Sequence, residues 1–280
     1  MSVARRPEGD EIEAEQGDEI EAVQEATPRP DPPAHHPPPH HLTWQRLTVL
    51  PAFLVALLLG TWLWFRQAEL GTLSEHALSG GQVSGALWQH VRLTALSTFF
   101  VLVIAIPLGI ALTRRMFRKA TPVASAVTRV GRAAPAIGLL ALPVILLGTG
   151  TQATLVGIVG YAVLPVLANT VAGLKANDPA LLKAARGIGM SPLAVLTRIE
   201  LPLAAPLILA GVRTALVLDV GTATLAAFGG GGGLGVLITT GLTHRQTPVL
   251  VLGSVLTVSL ALLVDWLASL AEALLRPRGL

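Results

Sequence analysis

The residues able to do chemistry in this chain are few and set in apolar surroundings. Arg213, Asp219 and Asp265 fall within runs of Leu, Val and Ala, with Thr222 and Thr224 close by and Asn169 and Tyr161 in another such run. Ionisable groups in hydrocarbon are costly and face a bundle interior or an aqueous path. Arg213 and Asp219 stand six residues apart, nearly two helical turns, and are expected to share a broad face. Asn169, Arg213, Asp219, Thr222 and Thr224 are therefore the candidate lining of a polar pathway for a cationic solute, with Tyr161 a weaker one. Interhelical hydrogen bonding is the other use for the threonines and Asp219. A third use makes Asp219 and Asp265 the proton or sodium sites of a gradient-driven carrier.

Bond-making chemistry has no matching constellation. No Ser/His/Asp grouping or metal-ligand spacing occurs within the apolar runs, and cysteine is absent. His90 and His244 are single histidines near expected span boundaries, read as solvated or capping. The cluster His35, His36, His40 and His41 lies in a proline-spaced tract that does not preorganise metal ligands. The run "FGGGGGLG" lacks the Lys of a phosphate-binding loop. It reads as flexible backbone near an outer mouth, where close approach requires residues without side chains. No catalytic residue, metal site or cofactor is expected in this chain.

The elements that position these residues are set by composition. Hydrophobic residues make up 52% and charged ones only 13% of the 280 residues, with a mean hydropathy of +0.63. That is the signature of an integral membrane protein, and the apolar runs approach the ~20 residues a helix needs to cross a bilayer. Six transmembrane helices are expected, at about 47–65, 93–113, 127–148, 152–173, 203–224 and 249–271, in an all-α membrane fold. Residues 1–45 are acidic, then rich in His and Pro, and read as a disordered tail. The body is basic, but its Lys and Arg lie in short loops between apolar runs, where they set orientation rather than bind nucleic acid. "RRMFRK" with Arg129 and Arg132, the stretch from Lys175 to Arg198, and "RPRG" are placed in the cytoplasm, which puts both termini inside. Trp44, Trp62, Trp64, Trp88 and Trp266 lie near span ends and read as interfacial anchors.

The segment "DPALLKAARGIGMSPLAVLTRIELPLAAP" carries two helix-start signals, Asp178-Pro179 and Ser191-Pro192, and glycines suited to end the first helix. Two short cytoplasmic helices joined by a sharp turn are expected. The first presents Ala184 and Ala185 for close approach, and the second ends at Leu201-Pro202, where the fifth span begins.

The spacing Lys183-Ala184-Ala185, three residues, Gly189, nine residues, Ile199, one residue, Leu201-Pro202 resembles the cytoplasmic loop of ABC-importer permeases. The flanking stretches "YAVLPVLANTVAGLKANDPALLKAARGIGMS" and "GVRTALVLDVGTATLAAFGGGGGLGVLITTGL" look like permeases of osmoprotectant importers for glycine betaine, choline and carnitine. The likeness covers about residues 88–272, and implies a type I importer permease core with a coupling loop at 174–202, a separate first helix at 46–66 and a C-terminal tail at 273–280. It implies that Lys183, Ala184, Ala185, Arg186, Gly189, Ile199, Leu201 and Pro202 form the element that docks on a cytoplasmic ATPase. Further implied partners are an extracytoplasmic substrate-binding protein and a second permease copy or paralogue in a prokaryotic plasma membrane. Lys183 stands where such loops usually have Glu, a reversal expected to matter little, since an exposed ion pair is worth ~0–1 kcal/mol. Aromatics are only 4% of the chain, too few for a rich quaternary-ammonium cage, so selection of the solute is expected in the binding protein.

Overall fold

In hydrocarbon every backbone N–H and C=O must be satisfied within the chain, and a closed helix is the local solution. The computed structural model describes residues 44–67, 81–114, 117 and 121–275, all helix or short connection. In chain order the elements are α1 (Trp44–Gln67), α2 (Gln82–Thr113), α3 (Thr121–Ala133), α4 (Ala136–Leu147) and α5 (Thr151–Lys175). Then follow α6 (Pro179–Gly187), α7 (Pro192–Val195), a π-turn at Leu196–Glu200, α8 (Leu201–Leu225), a 3₁₀ turn at Ala226–Gly229, α9 (Gly235–Thr243) and α10 (Thr247–Leu275). Among the described residues four helices are long and apolar enough to cross a bilayer: Gln82–Thr113, Thr151–Lys175, Pro192–Gly229 and Thr247–Leu274. Residues 1–43 of the expected tail, with its four clustered histidines, fall outside those described, as do Arg115, Arg118, Lys119 and the C-terminal "RPRG", while Trp44 and Gln45 already belong to α1.

Helices α2, α5 and α8 form the centre. Val101, Ala105 and Leu112 of α2 pack with Ala162, Val166, Leu167 and Val171 of α5 and with Ala215 of α8. A second cluster joins Leu93, Leu140, Ile158 and Ala223 from α2, α4, α5 and α8. Lipid is as apolar as leucine, so such contacts gain by close approach rather than by leaving water. Gly211 of α8 shows how close: a Cβ there would lie 2.8 Å from Cβ of Asn169 on α5. At the opposite end of α2, Leu234, Leu237 and Val249 pack with Val83, Ala86 and Leu87, which seats α9 and the start of α10.

Three expectations are corrected. The span placed at 127–148 is divided, because Pro135 lacks an N–H and disfavours helical geometry at Ala134; Pro135 is itself extended, with φ −60° and ψ 129°. The 12 residues of α4 reach about 18 Å, well short of the ~30 Å hydrocarbon layer. The fifth span does not begin at 203: α7 and the π-turn run into it without a break. The connection at 225–248 holds its own helix, α9, packed antiparallel on α10 through a turn in which Arg245 takes φ +54°.

Substitution Gly211→Val should overpack the α5–α8 contact and cost about 1–3 kcal/mol. Gly221→Ala, whose added Cβ meets nothing within 4 Å, should change stability little. Thermal unfolding of the purified chain in detergent compares the two.

Candidate functional site

The hairpin between α5 and α8 is built by its caps. The Asp178 carboxylate accepts the Ala180 N–H at 2.8 Å, and Pro179 opens α6 where a missing N–H costs nothing. Gly189 at φ +88° turns the chain, letting the Met190 N–H reach the Ala185 carbonyl at 3.2 Å. Ser191 Oγ then accepts the Ala194 N–H at 3.2 Å and starts α7. Lys183, Ala184, Arg186 and Gly189 are exposed, whereas Ala185 is buried, so only one of the two alanines expected at the surface is there. Ile199, Leu201 and Pro202 are half-buried on the α8 side, away from the exposed tip. The apolar residues that project farthest are Ile188, 82% exposed, and Leu193, 69% exposed, with Leu181 exposed to a lesser degree.

The junction with α8 is where Pro202 matters. Its ring would clash with a carbonyl four residues back in a regular helix. The chain widens instead into one π-turn, in which the Leu201 N–H bonds the Leu196 carbonyl. Glu200 in this turn is buried, and its carboxylate receives both terminal nitrogens of the Arg114 guanidinium at the end of α2. Asn177 Nδ2 donates to the Glu200 backbone carbonyl at 3.1 Å. Three chain segments thus meet at one residue, to which the sequence reading gave no role. The available signal was an acid flanked by Ile199 and Leu201 at a span edge, opposite the basic end of α2.

Farther along α8 the polar residues part company. Arg213 bonds Asp265 of α10 through Nε at 2.6 Å and Nη2 at 2.8 Å, with Glu272 at 3.8 Å from Nη1. Asp219 is fully buried and accepts from Ser97 Oγ at 3.0 Å and Thr98 Oγ1 at 2.9 Å, both on α2. Arg213 and Asp219 therefore do not share a face: six residues at 100° each leave them about 120° apart, and each ties α8 to a different neighbour. Thr222 Oγ1 bonds the Leu218 carbonyl at 2.8 Å, and Thr224 Oγ1 the Gly221 carbonyl at 2.5 Å, both within α8. Asn169 packs over Gly211. Within a single copy these five candidates make interhelical and intrahelical contacts; they do not converge on one channel.

The glycine run is likewise bound rather than loose. The Gly150 N–H donates to Gly229 O at 2.7 Å, and Gln89 and His90 of α2 hold Gly231, Gly233 and Leu234 from the other side. His90 is fully buried, not solvated, and it caps the turn ahead of α9. His244, by contrast, sits exposed at the end of α9.

Residues 105–277 match the model of the binding-protein-dependent transport system inner membrane component. The chain belongs to that family. This permease component is 36% identical over 202 residues to the choline transport system permease protein OpuBB of Bacillus subtilis, covering 72% of this chain and 92% of that protein. It is 33% identical over 207 residues to the osmoprotectant import permease protein OsmW of Salmonella typhimurium, covering 72% and 95%. Among solved structures, the inward-facing MetNI methionine ABC transporter matches with a TM-score of 0.59 at 23% identity, over 70% of this chain and 96% of that one. An amino acid ABC transporter crystallised with histidines matches with a TM-score of 0.58 at 19% identity, over 74% and 99%. The all-helical permease fold expected from the sequence is the fold observed, and the carboxylates weighed as proton or sodium sites are both engaged by neighbours.

A double-mutant cycle on Arg114→Gln and Glu200→Gln should give a coupling energy of about 1–2 kcal/mol, within the range for residues in direct contact. Denaturant unfolding in detergent measures it. Simple additivity of the two single losses would show that the pair does not hold the hairpin to α2.

Proposed function

We propose that this chain is the permease subunit of an ATP-driven importer for quaternary-amine osmoprotectants such as glycine betaine, choline or carnitine. Two copies, or this chain and a paralogue, enclose the solute path. A pair of cytoplasmic ATPase subunits docks on the 178–202 hairpin, and an extracytoplasmic binding protein delivers the solute. The chain carries no cofactor and makes or breaks no bond; ATP is hydrolysed by its partner. It resides in a prokaryotic plasma membrane with both termini in the cytoplasm. The relatives named for choline and osmoprotectant transport support the solute class.

The observation that carries the reading is the unbroken rod from Pro192 to Gly229. A push on the hairpin from the cytoplasm enters a helix that reaches the far end of the molecule. Ile188 and Leu193 are the apolar side chains that fill a partner's groove, and Lys183 and Arg186 are the polar contacts beside them. A carbonyl-rich or acidic rim on the partner would suit these two cations.

Proteoliposomes holding this chain with its ATPase and binding protein should take up labelled glycine betaine only when ATP is on the hairpin side and the binding protein on the other. Ile188→Glu places a charge where an apolar group is desolvated and should lower uptake by about tenfold or more, while the chain folds and inserts normally. Uptake by the chain alone under an ion gradient would overturn the reading.

A further inference from the structure

Two consecutive residues of α2 grip the backbone of the glycine run at the end of α8 remote from the hairpin. Gln89 uses both ends of its amide: Nε2 donates to Gly231 O at 3.3 Å, and Oε1 accepts the Gly233 N–H at 3.2 Å. His90 Nδ1 accepts the Leu234 N–H at 3.2 Å, and Nε2 meets Val220 O of α8 at 3.1 Å. A backbone N–H only donates and a carbonyl only accepts, so the ring that satisfies both is neutral with its proton on Nε2. A second proton would set N–H against N–H at Leu234.

The loop is shaped to this grip. Gly232 and Gly233 take φ +80° and +79°, and a Cβ on Gly233 would lie 3.0 Å from His90 Nδ1. Among the described residues no other ionisable group competes for the ring. On α8, Asp219 precedes Val220, but its carboxylate is held by Ser97 and Thr98, two turns along α2. Residues 226–243 contain no ionisable side chain, and Arg92 on α2 itself is exposed. The neighbouring core from α4, α5 and α10 is apolar, with Leu140, Ile158 and Val249.

We infer that Gln89 and His90 are positioning residues for transport: they pin the remote end of the α8 rod to α2, so that displacement at the hairpin tilts the rod about this point. This rests on the importer reading above. The mechanical argument is that a lever without a fixed point slides, which would let the partner hydrolyse ATP without moving solute.

The test uses the assembled transporter in proteoliposomes and reads glycine betaine taken up per ATP hydrolysed. His90→Phe, which removes both ring hydrogen bonds, should lower that ratio about fivefold, the scale of one lost hydrogen bond, with hydrolysis retained. His90→Asn, whose Oδ1 still accepts the Leu234 N–H, should stay coupled. Normal coupling in His90→Phe, or an equal loss in His90→Asn, would each overturn the inference.

Amide hydrogen exchange at Leu234, referenced to Leu237 in the same purified chain, judges the pin without transport. Faster relative exchange in His90→Phe than in wild type and His90→Asn supports it, and equal behaviour in all three overturns it. Absence of ATP-coupled uptake in wild type would refute the importer reading, leaving exchange to decide the pin.

Discussion

Everything else in this molecule depends on one helix keeping its course without a break from Pro192 to Gly229. Its 38 residues extend about 57 Å, nearly twice the hydrocarbon thickness, so part of it must stand outside the bilayer. Prolines at 202 and 206 threaten that continuity. The π-turn removes the threat at Pro202, and the chain keeps a rod where an ordinary helix break would have made a hinge.

The rod is held by polar ties spaced along it, most of them to α2, with one to α10 and one to the residue after α5. Glu200 reaches Arg114 of α2 and Asn177 beyond α5; Arg213 reaches Asp265 of α10; Asp219 reaches Ser97 and Thr98 of α2; and the Val220 carbonyl faces His90. Hydrogen bonds between helices in membranes average only about 0.6 kcal/mol. Their value here is geometric: each has one arrangement, and together they fix which face of α8 meets which neighbour. Apolar contacts in lipid would not choose among rotations so sharply. The broadly exposed surface of α4, with Ile145 and Leu146 77% and 80% exposed, has no such tie.

Much of the framework was legible in the residues. Apolar runs located the long helices, and Asp178-Pro179 and Ser191-Pro192 located both helix starts in the hairpin, because caps are local physics. Pro135 also carried a local signal, but a long apolar run outweighed it in the reading. The site was legible only in part, since side-chain partners are set by packing. Spacing placed Arg213 and Asp219 on one broad face; the structure sends them to different helices. Gln89 and Ser97 are unremarkable in sequence, and gain meaning only when a glycine loop and a carboxylate 122 residues farther on arrive beside them. The five consecutive glycines looked like slack, whereas left-handed φ values and hydrogen bonds on both sides make them a fixed shape.

The π-turn at Leu196–Glu200 also has a rotational meaning. Relative to a regular helix it accommodates one extra residue, and each residue carries about 100° of azimuth. The hairpin is therefore clocked against the rod by that angle, and a helical wheel drawn straight through Pro192 to Leu225 assigns the wrong residues to the hairpin's exposed side. Removing one residue here to restore an ordinary turn would bring back the clash at Pro202, so the extra residue sets both the continuity of the rod and the azimuth at which the hairpin leaves it.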